Sequence, residues 1–259
     1  NSTVTNTFGY RKINSIEIMS LSDDGSNVIG GKIKVSCDCL AVSGGWTPMV
    51  HMHTQSGGKL KFRETDQVFL PEEVSSDHIS VGSSNGDFEL DEIIKNTNKK
   101  IKAFFNLGET EFEKTSVNCS KELDKKNIWL LPNKISLGKT KSFIDFQNDS
   151  TAKDIKLALR EGFRSIEHVK RYTTTGMATD QGKLSNMHAL GIIAETAGAK
   201  MGTLGTTTFR PPFTPLTFGA IVGRSVGDFF DITRRTSIHD WHIKNKAEFE
   251  NVGQWKRPW

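Results

Sequence analysis

Between Thr151 and Gly198 the sequence spells out where helices start and stop, and this leaves little freedom in how that stretch can fold. Thr151 followed three residues later by Asp154 is a capping-box-like start, with Asp in the carboxylate role. Ile155, Ala158, Leu159 and Phe163 then fall on one helical face, and Gly162 is a C-terminal stop. Ser165 caps IEHVKRYTTTG, where Ile166, Val169 and Tyr172 share a face that ends at Gly176. Ser185 caps NMHALGIIAETAG, with Met187, Leu190, Ile193, Ala194 and Ala197 inward and Gly198 closing the helix. A fourth helix is expected to begin at Thr214-Pro215, because proline is well tolerated in a first helical turn. Short helices with tight loops predict a small α-helical domain.

The first part of the chain has a different rhythm. KINSIEIMSL (12–21) alternates apolar and polar positions through Ile16, Ile18 and Leu21, SDDGSN supplies a turn, and GGKIKVSCDCLAVSGG (30–45) holds two more strand signals. Cys39-Leu40-Ala41-Val42 is apolar on consecutive positions, which suits a strand covered on both faces in a parallel sheet flanked by helices. His78 to Val81 reads as another short strand. It runs into Gly82-Ser83-Ser84-Asn85-Gly86 and then a helix from near Asp87, with Leu90, Ile93, Ile94, Thr97 and Ile101 on one face. Strand, glycine turn and helix together bring backbone N–H groups to a diphosphate. Gly44-Gly45-Trp46-Thr47-Pro48 follows the other apolar strand in the same way. Either turn can equally be plain tight geometry; no GxGxxG opens a complete βαβ unit upstream.

From Leu107 to Lys141 the composition shifts to Glu, Lys, Asn and Ser, as in a solvated connection, with Ile128 to Pro132 as a short anchored strand and a domain boundary near residue 140. The aromatic and basic tail DWHIKNKAEFENVGQWKRPW lacks a continuous basic stripe. It reads as a segment that packs on a following domain or partner rather than on nucleic-acid bases. With 259 residues, 25% charged and 36% apolar, and a net charge of +4, the chain is a solvated globular protein without a nucleic-acid signature. No apolar run approaches the roughly 20 residues that span a bilayer, so a cytoplasmic setting is expected. The start at Asn1 and the end after QWKRPW read as a piece of a longer polypeptide.

Catalytic and metal signals are thin. Cys37, Cys39 and Cys119 are the only cysteines, too few for a disulfide framework, and Cys37-Asp38-Cys39 has no second Cys or His pair at zinc-like spacing. They are expected to be buried, small and apolar. His51 and His53 would need a loop to fold back before they could share a metal. No nucleophile elbow occurs. His188 lies among core positions, and the pairs Asp23-Asp24 and Glu72-Glu73 sit in turns. No catalytic residue is assigned.

Three blocks carry a resemblance: AVSGGWTPMVHMHTQSGGKLKF; FIDFQNDSTAKDIKLALREGFRSIEHVKRYTTTGMATDQGKLSN; and GTTTFRPPFTP with GQWKRPW. Together they resemble the alpha subunits of heterotetrameric sarcosine oxidases over nearly the whole chain. The resemblance implies an α/β pyridine-nucleotide-reductase-like part at 1–106, a linker at 107–141 and a small helical domain at 142–215. It further implies a connection at 216–259 toward an aminomethyltransferase-like folate domain. It implies NAD held in part by Gly44, Gly45, Trp46, Thr47, Pro48, Gly82, Ser83, Ser84, Asn85 and Gly86, with FAD and FMN on a partner subunit. Tetrahydrofolate would bind in the domain that follows, and beta, gamma and delta subunits are the partners, with no membrane or nucleic acid. Such complexes demethylate sarcosine oxidatively to glycine, pass the one-carbon unit to tetrahydrofolate and produce hydrogen peroxide. The Ser83-Ser84-Asn85 turn departs from the small apolar residues usual there. Related amine, opine or proline dehydrogenase subunits, or a structural module without nucleotide, are the alternatives.

The helical block also resembles domains that bind a [2Fe–2S] cluster through four cysteines. The first pair would fall near Asp145-Phe146-Gln147 and the second within Met177 to Gly182, yet residues 143–259 contain no cysteine. A cluster needs thiolates or imidazoles, so no iron–sulfur cluster is expected. Thr173, Thr174, Thr175, Thr179 and Asp180 are expected to make hydrogen bonds instead, as helix caps or contacts to a neighbouring subunit.

Overall fold

The computed structural model describes residues 1–72, 78–108, 127–224, 227 and 231–259; Glu73 and Cys119 lie outside them. The fold is mixed α and β, in two compact units, Asn1–Phe213 and Thr214–Trp259. The first opens with an antiparallel meander of β1 (Ser2–Gly9), β2 (Ile13–Leu21) and β3 (Val28–Ser36). Ile16 and Met19, on opposite faces of the central strand, are both buried. Glu17 sits beside them, where it accepts a hydrogen bond from Thr5 Oγ1 at 2.9 Å and pairs with Lys32 at 3.1 Å. These partners replace the water that a carboxylate loses when strands close around it.

The sheet ends at Ser36, and here the structure departs from the sequence-based expectation. Cys39 to Val42 is coil, with Val42 81% exposed and Cys39 exposed. Cys37 is half-buried, so neither cysteine is the buried apolar residue expected. Every named strand pair is antiparallel, and His78 to Val81 is likewise not a strand. A run apolar on consecutive positions becomes a strand only when neighbouring strands take its backbone groups. None does so among the described residues.

A short helix α1 (His51–Gln55) leads into a hairpin of β4 (Leu60–Arg63) and β5 (Val68–Pro71). All four β5 residues are buried. α2 (Leu90–Phe105) then lies with its apolar stripe only half-covered and no residue buried. β6 (Phe143–Asp145) and β7 (Ser150–Thr151) form a small antiparallel pair at the entrance to the helical block.

That block follows the start and stop signals in position, but Ser165 and Ser185, expected as caps, make no side-chain cap hydrogen bond, and the Ser185 hydroxyl is buried with no partner among the described residues. α3 (Ala152–Arg160) carries a complete capping box: Thr151 N–H donates to Asp154 Oδ2 at 2.8 Å and Asp154 N–H to Thr151 Oγ1. α4 (Ile166–Thr173) ends at left-handed Thr174, and α5 (Asn186–Ala197) at left-handed Gly198. Ile155, Val169, Ile192 and Ile193 form the centre of the core, each 1% exposed or less. Burying each contributes about 1.5–3 kcal/mol. Positions 189–194 of α5 are buried all round, whereas Ala197, expected inward, is exposed. Tyr172 is 46% exposed and packs its ring on Phe163. Trp129, expected on a strand, sits in an irregular stretch. It packs against both the α3–α5 core and the cluster around Phe69 and Leu190, its indole N–H donating to Gln67 at 2.9 Å. A short helix α6 (Met201–Leu204) completes this unit.

In the second unit α7 (Phe218–Val222) starts at a Thr217 cap rather than at Thr214-Pro215; the Thr217 hydroxyl accepts from Ala220 N–H and closes the first turn. α8 (His239–Lys244) and a hairpin of β8 (Phe249–Val252) and β9 (Trp255–Pro258) follow. Phe218, Trp241 and Trp259 are 87%, 61% and 88% exposed.

Candidate functional site

The glycine turn is built by what surrounds it. Gly82–Asn85 form one 3₁₀ turn closed by left-handed Gly86, so α2 begins at Leu90 rather than near Asp87. Arg63 on β4 holds the turn from below: its guanidinium grips Asp66 and donates to the Gly86 carbonyl at 2.8 Å. A side chain on Gly86 would meet Leu70 Cδ2 at 2.6 Å and Arg63 at 2.9 Å. The glycine is therefore required by the β4–β5 hairpin, whatever approaches from outside. Lys100, one face along α2, donates to Asn85 Oδ1 at 2.9 Å and to the Ser80 carbonyl at 3.3 Å. Ser84 Oγ donates to Val81 O. The first turn of α2 carries Asp91 and Glu92 behind Glu89. Carboxylates stabilise a helix N-terminus by meeting its partial positive charge, and so compete with an anion for it.

The other predicted residues lie in coil before α1. Gly44, Gly45, Trp46 and Thr47 are exposed, Trp46 by 88%, with nothing within 4 Å of where a side chain on either glycine would sit; Pro48 is buried. No hydrogen bond among the described residues joins 44–48 to 82–86.

A cavity of about 300 Å³ opens beside the turn. Of the ten predicted site residues only Asn85 lines it. Pro71, Ile79, Ala103 and Phe104 give it an apolar wall; His53, Glu72, His78, Ser80 and Lys100 give it a polar one. His53, 5% exposed, has both ring nitrogens engaged: Nε2 lies 2.8 Å from the Lys59 carbonyl and Nδ1 2.8 Å from His78 Nε2. Gly58 allows this, since a side chain there would overlap the His53 ring at 2.3 Å. The HMH and QSGG stretches hold these residues in the sequence. The partnership with His78, 25 residues on, is made by the intervening hairpin and leaves no local trace.

The loop after α4 contains the other constellation. Asp145, 3% exposed, accepts from the backbone N–H groups of Gln147 and Asn148 through Oδ1 and of Gly176 through Oδ2 at 2.7 Å. Gln147 Oε1 accepts from Thr179 and from Asp180 N–H, both at 3.3 Å. Thr173 donates back to Val169 O, and Asn148 to Thr174 O. The positions at which cluster ligands would fall are thus bonded to one another, by carboxylate and amide groups rather than thiolates or imidazoles. They do not fit a [2Fe–2S] cluster. No group of three or more His, Cys, Asp or Glu among the described residues could hold a metal ion.

The same loop clamps the end of the first unit. Gln181 Nε2 donates to the carbonyls of Arg210 and Pro212, and Lys183 Nζ to that of Phe213 at 2.6 Å while lying over its ring. His51 stacks on Phe213 as well, centroids 3.6 Å apart. Burial, and then the Lys183 charge, hold the His51 imidazole below its ordinary pKa.

Residues 139–224 match the sarcosine oxidase A3 domain family. The sarcosine oxidase alpha chain from Corynebacterium sp. (strain U-96) is 36% identical over 243 residues, which is 89% of this chain and 25% of that protein. The chain is a homologue of one quarter of the sarcosine oxidase alpha subunit. Its counterpart from Rhizobium meliloti (strain 1021) agrees, at 36% identity over 98% of this chain and 25% of its own length. An opine oxidase component of the same organism is 34% identical over 71 residues, 27% of this chain and 16% of that protein. Among solved structures, L-proline dehydrogenase from P. horikoshii overlaps 85% of this chain and 44% of its own, with TM-score 0.49 and 20% identity. The chain spans about a quarter of the length of the sarcosine oxidase alpha subunits it matches. No helix among the described residues is long and apolar enough to cross a membrane.

Proposed function

We propose that this chain is a non-catalytic part of an amine-oxidising complex of the sarcosine oxidase kind, contributing a nucleotide-holding surface and the joint between domains. The observation that carries the reading is identity of 34–36% to sarcosine oxidase alpha subunits along 89–98% of the chain. NAD is the nucleotide proposed. Gly82 to Asn85 would present backbone donors and the Ser83 hydroxyl to its diphosphate, with Lys100 bracing the turn through Asn85. The exposed Gly44 to Thr47 stretch would meet the same ligand once further polypeptide covers it. Bound there, NAD would supply hydride-accepting chemistry; these residues would hold and orient it.

The rest of the reaction lies elsewhere in the proposal. FAD and FMN on a beta subunit would oxidise sarcosine to glycine and reduce oxygen to hydrogen peroxide. A folate domain following residues 216–259 would take the one-carbon unit to tetrahydrofolate, with gamma and delta subunits completing a cytoplasmic assembly. The cluster-free helical block, 142–215, would link these parts, with Asp145 standing in for a metal centre.

Calorimetric titration of NAD into the complete polypeptide in its assembly tests this. Binding with a Kd below about 1 mM, weakened at least tenfold by Ser83→Glu, is expected. No heat and no thermal protection at millimolar NAD would leave a structural module in its place.

A further inference from the structure

The histidine pair beside the glycine turn has a fixed polarity. A carbonyl only accepts, so the proton on His53 must sit on Nε2, facing Lys59 O at 2.8 Å. Neutral His53 therefore accepts at Nδ1, and the proton between the rings belongs to His78 Nε2. This leaves the Nδ1 of His78, a residue lining the cavity, as an acceptor. The second lone pair of the Lys59 carbonyl is taken by Glu72 N–H at 2.8 Å, and Glu72 lines the same cavity. His78 and Glu72 thus line one space with Lys100 and with Phe104, Ile79, Pro71 and Ala103.

From this arrangement we infer that the cavity is a binding site for a free α-amino acid with an apolar side chain. The ligand's ammonium donates to His78 Nδ1 and Glu72, its carboxylate faces the charge of Lys100, and its side chain lies on the Phe104 wall. The volume of about 300 Å³ admits a side chain of leucine or phenylalanine size. His53 is a positioning residue here: it touches no ligand and keeps His78 in the accepting tautomer. The site shares Asn85 with the proposed NAD turn but does not depend on that reading.

The test is calorimetric titration of the complete polypeptide, in its assembly, with L-leucine, with 4-methylpentanoate, which lacks the amine, and with 3-methylbutylamine, which lacks the carboxylate. Leucine is expected to bind, and each half-molecule at least about tenfold more weakly. Glu72→Gln, isosteric and at an exposed position, is expected to weaken leucine about tenfold with the unliganded melting temperature unchanged. His53→Phe is expected to weaken leucine and the amine but not 4-methylpentanoate. Failure of leucine to bind at about 10 mM, or equal binding of 4-methylpentanoate, overturns the assignment. So does displacement of leucine by NAD, which would give the cavity to the nucleotide.

Discussion

The helical block and the segment before it satisfy their local preferences to very different degrees. Around α3 to α5 most local signals agree with the packing: the capping box forms, the glycine and threonine stops are left-handed, and the apolar faces meet in a closed core, although Ser165 and Ser185 make no side-chain cap hydrogen bond. Around α1 to α2 the pattern promises more burial than occurs. α2 buries nothing completely, Val42 and Trp46 face solvent, and the polar residues converge on an open cavity instead. A region whose local preferences are all satisfied has little left with which to bind; one with unmet preferences can take a ligand or more polypeptide.

The sharpest way to break this contrast is to remove Asp145. Three backbone N–H groups converge on its buried carboxylate, and Asp145→Ala strands them together. Loss of about 3 kcal/mol or more is expected in urea unfolding, the largest effect of any single polar change in the block. Asp145→Asn should recover part of it, since one amide oxygen still accepts. A loss under about 1 kcal/mol would mean that the two loops hold together without the carboxylate.

A paired core truncation sharpens the comparison further. Ile193→Ala on α5 opens a cavity in a closed core and is expected to cost about 2–5 kcal/mol, whereas Ile94→Ala on half-covered α2 should cost about 1 kcal/mol or less. Equal costs would show that α2 is as well packed as α5.

Why one half is legible in the sequence and the other is not follows from the same physics. Thr151, Asp154 and Gly198 act within a turn of themselves, so a single sequence displays them. The fate of Cys39-Leu40-Ala41-Val42 depends on strands supplied from elsewhere, and its pattern alone does not say whether they arrive. The β4–β5 hairpin escapes sequence reasoning because Leu60 to Arg63 and Val68 to Pro71 are too short for alternation to show. The His53–His78 pair escapes it because that hairpin makes the pair. Within the candidate site, residues 82–86 are legible as a turn, but the glycine at 86 answers to Leu70 and Arg63.

Capping gives a smaller and more local test. Thr151→Ala removes the hydroxyl that receives Asp154 N–H and should cost about 1 kcal/mol, with Thr151→Ser close to neutral. The thermal midpoint is the measure.

The smallest expected effect lies where the loop meets the end of the first unit. His51 is pressed against Phe213, its Nδ1 is buried without a partner among the described residues, and Lys183 stands over the same Phe213 ring. Burial and the lysine charge both disfavour the imidazolium, so the folded pKa lies below the ordinary value of 6.5. The unfolded chain then binds the proton more readily. The His51 contribution is complete above about pH 6.5, declines as the pH falls through that value, and stops declining below the folded pKa. His51→Phe keeps a ring on Phe213 but cannot take a proton. The stability of the wild type should therefore fall more than that of the variant between about pH 7 and pH 5. Parallel curves over that range would mean that the stacked ring stays open enough to water to protonate without cost.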